Sequence, residues 1–194
     1  MVRPPRLRRG DLVRFVSPAS TPDPATIEGS ARYLTSLGLK GGVAPHASDG
    51  WGSLAARDDD RLDDLNTAIR DTDVRAIIAT RGGKGAYRIA DRLDADAARA
   101  DPKLLVGFSE ITVLHLALLK HCGLAGVHGA PWPPQQHGGP TAASFEAAVF
   151  TTDPIRISAD PQEPTAVLTT TGAATGLLVG GNQVINGSLA LGDF

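Results

Sequence analysis

The run Lys103-Leu-Leu-Val-Gly-Phe-Ser109-Glu-Ile-Thr-Val-Leu-His-Leu-Ala-Leu-Leu119 narrows the possible folds more than any other stretch. Lys103 to Phe108 is a short apolar run of the kind that makes a fully buried strand, and from Ile111 the apolar residues Ile111, Leu114, Leu118 and Leu119 recur near the helical period. Ser109 therefore falls on a strand-to-helix turn. An α/β enzyme exposes a nucleophile at such a turn, above the carboxyl edge of its sheet. Gly107 removes a side chain that would crowd the turn, and the helix start aims backbone N–H groups at any charge that develops beside the hydroxyl. Two features pull the other way. A Gly-x-Ser-x-Gly elbow would place Gly at 111, where this chain has Ile, and Ser is among the best helix-capping residues. Taken alone, the stretch reads first as a capped helix.

The rest of the chain repeats the same strand–helix unit. Asp11 to Val16 reads as a strand that breaks at Ser17-Pro-Ala-Ser20-Thr-Pro. Ala25 to Leu37 reads as a helix stopped by Gly38, and Leu39 to Pro45 as a second strand weakened by Gly41 and Gly42. His46 to Ser53 is loop, with Trp51 either covering the core or standing on a pocket rim. Arg57 to Arg70 is a helix with Leu62, Leu65 and Ile69 as its buried stripe. Its carboxylates Asp58 to Asp60, Asp63 and Asp64 read as an exposed face. Val74 to Thr80 is the clearest central strand. It enters Arg81-Gly82-Gly83-Lys84-Gly85, from which a helix is expected through Ile89 and Leu93. Leu124 to Val127 reads as a further strand, ending in His128-Gly-Ala-Pro131-Trp132, and Thr141 to Phe150 as a last helix.

Strand–helix alternation of this length predicts an α/β fold: a parallel, doubly wound sheet of flavodoxin-like type with helices on both faces. Right-handed crossovers would bring the loops after the strands to one edge. Ser17 to Ser20, Arg81 to Gly85, Ser109 and His128 thus converge on one rim, where a site is expected. Residues 1–150 form this α/β domain and 151–172, rich in Pro and Thr, read as a linker. Residues 173–194 read as the start of an incomplete, truncated second domain, because some twenty residues cannot bury a core alone.

Composition closes several other routes. The 194 residues carry a net charge of −2, so there is no electrostatic case for nucleic acid. Arg3, Arg6, Arg8 and Arg9 read as a short solvated tail. One cysteine, Cys122, excludes an internal disulfide and fits a reducing compartment. No apolar run is long enough to span a membrane, and a cytoplasmic location is expected. No Cys/His cluster or paired-carboxylate spacing calls for a metal. The glycines and lysine of Arg81 to Gly85 fit neither a P-loop nor a dinucleotide fingerprint, so no cofactor is expected.

Five motifs, in order, carry a resemblance. They are Gly10-Asp11-Leu-Val with Ser17-Pro-Ala-Ser20; Ile77-Ile-Ala-Thr-Arg81-Gly82-Gly83-Lys-Gly85-Ala86; Gly107-Phe-Ser109-Glu-Ile-Thr112; His128-Gly129; and Gly180-Gly181-Asn182. With these the chain resembles the LD-carboxypeptidases, serine peptidases that include the microcin C self-immunity proteins. The resemblance implies that Ser109 is the nucleophile, attacking the carbonyl between an L-centre and a terminal D-residue in a muropeptide or related peptide conjugate. It also implies an oxyanion hole from the backbone N–H groups of Glu110 and Gly83. Arg81, Gly82, Ser17 and His128 are candidates for substrate contact. Family members usually carry Asp where this chain has Glu110, and they often pair as homodimers. The His and Glu that complete the family's triad come from a second domain beyond Gly-Gly-Asn, and neither is carried over to a residue here. Within the chain, His115 lies about 240° round its helix from Ser109 and roughly 9 Å along it, so His128 is the better-placed imidazole. His46, His121 and His137 have no supporting context. The competing expectation is an inactive homologue or peptide-binding module that keeps the fold and rim but lacks the general base.

Overall fold

The computed structural model describes residues 1–129, 139–156, 162, 164, 166–168 and 171–180. Five parallel strands form one sheet: β1 (Leu12–Val16), β2 (Lys40–Val43), β3 (Val74–Ala79), β4 (Leu104–Gly107) and β5 (Val127–His128), in the order β2-β1-β3-β4-β5. That order is the doubly wound, flavodoxin-like one, and it reverses direction at the β1/β3 pair.

Alternation along the strands sorts the core into two layers. Val13 and Phe15 of β1, Ala76 and Ile78 of β3, and Leu104 and Val106 of β4 pack against α1 (Pro24–Ser36) and α5 (Gly139–Phe150), through Tyr33, Leu34, Phe145 and Val149. Val16, Val74, Ile77, Ala79 and Leu105 face the other way. They meet α2 (Asp58–Arg70), α3 (Ala95–Ala100) and α4 (Thr112–Cys122), through Leu65, Ile69, Ala98, Leu114 and Leu118. Each such buried Leu or Ile contributes roughly 1.5–3 kcal/mol.

Local signals start and stop these helices. The Asp23 carboxylate accepts the Ala25 N–H at 2.9 Å and Pro24 opens α1. Three aspartates stand in the first turn of α2, at the positive end of its dipole. Gly123, at φ +65°, ends α4 in the left-handed cap that glycine tolerates best.

Several expectations need correction. From Gly85 the chain does not run as an α-helix. It makes two 3₁₀ turns, Ala86–Arg88 and Ala90–Arg92, and then starts α3, which the sequence pattern did not indicate. The cause is local. Asp94 caps α3 by accepting the Ala97 N–H at 3.0 Å, and its own N–H donates to Asn66 at 2.9 Å, so a new helix begins before the earlier one can form. The last strand lies later than expected, at Val127–His128, because Leu124 instead bridges Val2. The amino-terminal segment is accordingly no loose tail. Its arginines are exposed, but Val2 donates to Gly123, Leu7 donates to Val149, and Leu7 is buried. Nor is the acidic face of α2 uniformly exposed: Asp64 is buried and accepts the His46 N–H at 3.0 Å. Trp51 does not cover the core: it is 48% exposed, with the Arg57 guanidinium 6.0 Å from its ring centre. Pro131, Trp132, His137, Gly181 and Asn182 lie outside the described residues.

Candidate functional site

The carboxyl ends of β1, β3 and β4 carry three loops that close on one another. β4 ends at Gly107, and the chain reverses through Ser109 at φ +58°, the one positive φ of a non-glycine residue among the described residues. A left-handed serine is strained by about 1–3 kcal/mol, a cost that clusters at functional turns. Gly107 makes the turn possible, since an added Cβ there would lie 2.5 Å from Ile111 Cγ2 and 2.9 Å from Ile111 Cβ. The elbow therefore takes its glycine before the serine and packs Ile111 where a second glycine was expected. Ser109 is not a helix cap. The residues in the cap positions, Phe108 and Ile111, make no side-chain cap bond, and it is Thr112 that donates to the Ser109 carbonyl at 2.7 Å. Among the described residues no side chain is hydrogen-bonded to the Ser109 hydroxyl.

The Arg81 to Gly85 loop lies directly over this serine. A Cβ on Gly82 would sit 2.8 Å from Ser109 Cβ and 3.2 Å from Ser109 Oγ. Gly83, at φ +121°, presses its backbone against the Ser20 side chain from the β1 loop. The Ser20 N–H donates to the Gly82 carbonyl at 3.4 Å and the Lys84 N–H donates to Ser20 Oγ at 3.1 Å. Only glycine lets the backbone approach both serines this closely. The Gly83 N–H donates to no group among the described residues.

Two buried charges hold the same loop. The Glu110 carboxylate, 4% exposed as a residue, accepts the Gly85 N–H at 3.0 Å and the Ala86 N–H at 3.1 Å. Arg61, 1% exposed, donates through Nη1 to the Gly85 carbonyl at 3.0 Å and to the Pro18 carbonyl, and through Nε to Ala56 at 3.1 Å. Its Nη2 meets Asp58 at 2.5 Å, which in turn binds Arg88 at 2.7 Å. The sequence pattern did not single out Arg61 or the Glu110 side chain. The one signal available was an arginine on α2 standing just before Leu62 of the apolar stripe.

The remaining candidates take different places. Ser17 is buried at the β1/β3 crossing, and its hydroxyl pairs with that of Thr80 at 2.7 Å. Arg81 is exposed on the rim and donates to the Thr21 carbonyl at 3.1 Å. His128 ends β5, exposed, in register with Gly107, and Gly129 donates to the Gly107 carbonyl at 2.9 Å. His115 lies 6.4 Å from His128, ring centre to ring centre, and its Nε2 is 3.2 Å from the Leu105 carbonyl. Burial, and then the charge of His128, push the His115 imidazole down to about 4. At neutral pH it is uncharged, and Nε2–H is the donor to Leu105. The two imidazoles border a cavity of about 260 Å³ with Leu116, Leu119 and Leu124. Among the described residues no group of three His, Cys, Asp or Glu side chains could hold a metal ion, and no helix is long and apolar enough to cross a membrane.

Known proteins resemble this chain in sequence and fold. A family model for the LD-carboxypeptidase N-terminal domain matches residues 13–129. The probable murein peptide carboxypeptidase of Bacillus subtilis (strain 168) is 39% identical over 127 residues, covering 66% of this chain and 40% of that protein. The murein tetrapeptide carboxypeptidase of Pseudomonas aeruginosa is 33% identical over 118 residues, covering 60% of this chain and 38% of that protein. Among solved structures, an MccF-like protein from Bacillus anthracis str. Ames matches with a TM-score of 0.72 at 27% identity, over 78% of this chain and 48% of the other. The chain thus spans about 40% of the length of these two relatives.

Proposed function

The chain belongs to the LD-carboxypeptidase family, and from that premise we propose that it supplies the nucleophile domain of a serine carboxypeptidase acting on murein-type peptides. Residues 1–150 would be that domain, 151–172 a linker, and 173–194 the start of a further one. The observation that supports the reading most is the strained Ser109 turn with Gly82 packed against its hydroxyl.

The chemistry proposed is acyl transfer. Ser109 Oγ attacks the carbonyl carbon of the bond before a terminal D-residue, and its proton passes to a general base. The oxyanion that forms is held by the backbone N–H groups of Glu110 and Gly83. The intermediate collapses with protonation of the leaving amine and release of the D-amino acid, leaving an ester on Ser109. Water then attacks this ester and restores the hydroxyl. Arg81 stands on the rim as a cation for the terminal carboxylate of the peptide, a charge-assisted contact that would orient the scissile bond. Gly82 and His128 would line the same approach. Ser17, whose hydroxyl is engaged with Thr80, would act by holding β1 to β3 under the site.

A second reading, a peptide-binding module without turnover, draws support from the Ser109 hydroxyl, which is hydrogen-bonded to no imidazole among the described residues. A fluorophosphonate probe separates the two. The peptidase reading expects a covalent adduct on the Ser109 peptide by mass spectrometry, absent from folded Ser109→Ala, together with release of a terminal D-residue from a murein tetrapeptide. A folded protein that takes up no probe, or takes it up equally without Ser109, would sink that reading in favour of the binding module.

A further inference from the structure

We propose that the side chains of Glu110 and Arg61 are positioning residues that grip the peptide groups around Gly85 from opposite sides and thereby set the Arg81–Gly85 loop over Ser109. This inference rests on the nucleophile reading of Ser109. It goes beyond it by assigning a task to two side chains that touch neither substrate nor Ser109 Oγ.

Three observations converge. First, the 85–86 peptide is held at both ends by full charges: its N–H, on Ala86, by Glu110 at 3.1 Å and its carbonyl, on Gly85, by Arg61 at 3.0 Å. The peptide before it gives its N–H to the other Glu110 oxygen at 3.0 Å. Both side chains are buried, so these charge-assisted bonds are not loosened by competing water. Second, the gripped segment lies two residues beyond Gly83, whose N–H is the proposed second oxyanion donor, and three beyond Gly82, which abuts Ser109. Third, Glu110 is the residue after the nucleophile. Its main chain carries one proposed donor while its side chain locks the loop that carries the other, so the two donors share one anchor. Arg61 extends the anchor by also holding Pro18 in the β1 loop and Ala56 before α2.

The substitution that isolates this role is Glu110→Gln. Glutamine has nearly the same shape but offers one acceptor and one amide NH₂, so one of the two backbone N–H groups then faces a donor. The loop would shift while the fold stays. Acylation of the 194-residue protein by a fluorophosphonate is measured as a function of probe concentration, which separates the bond-forming rate from probe affinity. With parent labelling on Ser109, Glu110→Gln and Arg61→Lys are expected to slow the bond-forming rate roughly 10- to 100-fold at unchanged affinity and unchanged circular dichroism. Glu110→Asp keeps both acceptor oxygens and should stay within about threefold of parent. A folded Glu110→Gln protein that acylates within twofold of parent overturns the proposal. If Glu110→Gln does not fold, Arg61→Lys decides by the same criteria, and unfolding of both variants assigns the pair to stability alone and overturns it. If the parent takes no label, the nucleophile reading fails separately. Amide hydrogen exchange then decides the grip: exchange at Gly85 and Ala86 faster by tenfold or more in Glu110→Gln, against unchanged sheet amides, sustains it, and unchanged exchange removes it.

Discussion

Two strand ends on the same edge of the sheet are built in opposite ways. At β4 the chain makes a strained serine turn over a glycine that cannot be replaced without striking Ile111, and a neighbouring loop is clamped upon it by two buried charges. At β5, one strand away, the chain leaves through exposed His128, and Gly129 is less tightly enclosed: among the described residues a Cβ there would meet Val106 Cγ1 alone, at 3.3 Å. The first end stores strain and packs its backbone groups closely. The second carries titratable rings beside a cavity and fixes little. The contrast separates two arrangements on one edge of the sheet, a backbone packed closely around Ser109 and open space beside His115 and His128.

The largest effect that would test this contrast is steric. Gly107→Ala drives a methyl group into Ile111 and should cost about 2–3 kcal/mol of stability, as overpacking of a rigid turn does. Gly129→Ala, which asks Val106 Cγ1 to give by a few tenths of an ångström, should cost under about 1 kcal/mol. Urea unfolding of both variants checks the pair. Equal losses would mean that the β4 end is no more constrained than the β5 end.

Of similar size is a pH effect that belongs to the β5 side. His115 is held neutral in the fold, with its pKa lowered from 6.5 to about 4. The unfolded chain therefore binds a proton that the native chain refuses. Stability from this group is fully present above about pH 6.5 and is lost as pH falls through the window down to about 4, by up to roughly 3 kcal/mol. His115→Gln should flatten that part of the stability curve relative to the parent, measured as urea midpoints between pH 4 and 7. A curve of equal slope in both proteins would mean that His115 titrates normally.

Smaller still, and of opposite sign, is the release of strain at Ser109. Ser109→Gly removes the Cβ from a left-handed position and should raise stability by about 1 kcal/mol, less the entropy that glycine adds to the unfolded chain. Ser109→Ala keeps the strain and should melt with the parent. A glycine variant no more stable than the alanine one would mean that the turn is relaxed.

How much of this was legible in the sequence divides along the same line. Strands β1 to β4 and helices α1, α2 and α4 follow from apolar spacing with caps and glycine stops, all within a turn or two of the residues they govern. The convergence of Ser17 to Ser20, Arg81 to Gly85, Ser109 and His128 follows from parallel topology alone. The grip on Gly85 was not legible. Glu110 reaches residues 24 and 25 positions away, and Arg61 reaches 43 positions back to Pro18. No local pattern announces a bond of that span, and an arginine on a charged helix reads as surface until the loops close over it. The 3₁₀ turns after Gly85 escaped for a related reason. Ile89 and Leu93 keep the helical spacing, while distant Glu110 and Asn66 decide where the segment starts and where the next helix begins.

The finest test concerns the coupling of the two histidines. At 6.4 Å between ring centres, with one ring exposed to water, their repulsion is about 0.6 kcal/mol in a dielectric near that of water. That energy corresponds to about half a pKa unit. Replacing His128 by Gln should therefore raise the His115 pKa by about half a unit and leave the larger, burial-driven depression in place, as read from imidazole proton shifts across a pH titration. A shift of two units would mean that the pair is coupled through a low dielectric, so that the β5 end is as closed to water as the serine turn, and the contrast between the two strand ends would fail. No shift would mean that His128 faces away, and that burial alone keeps His115 neutral beside the site.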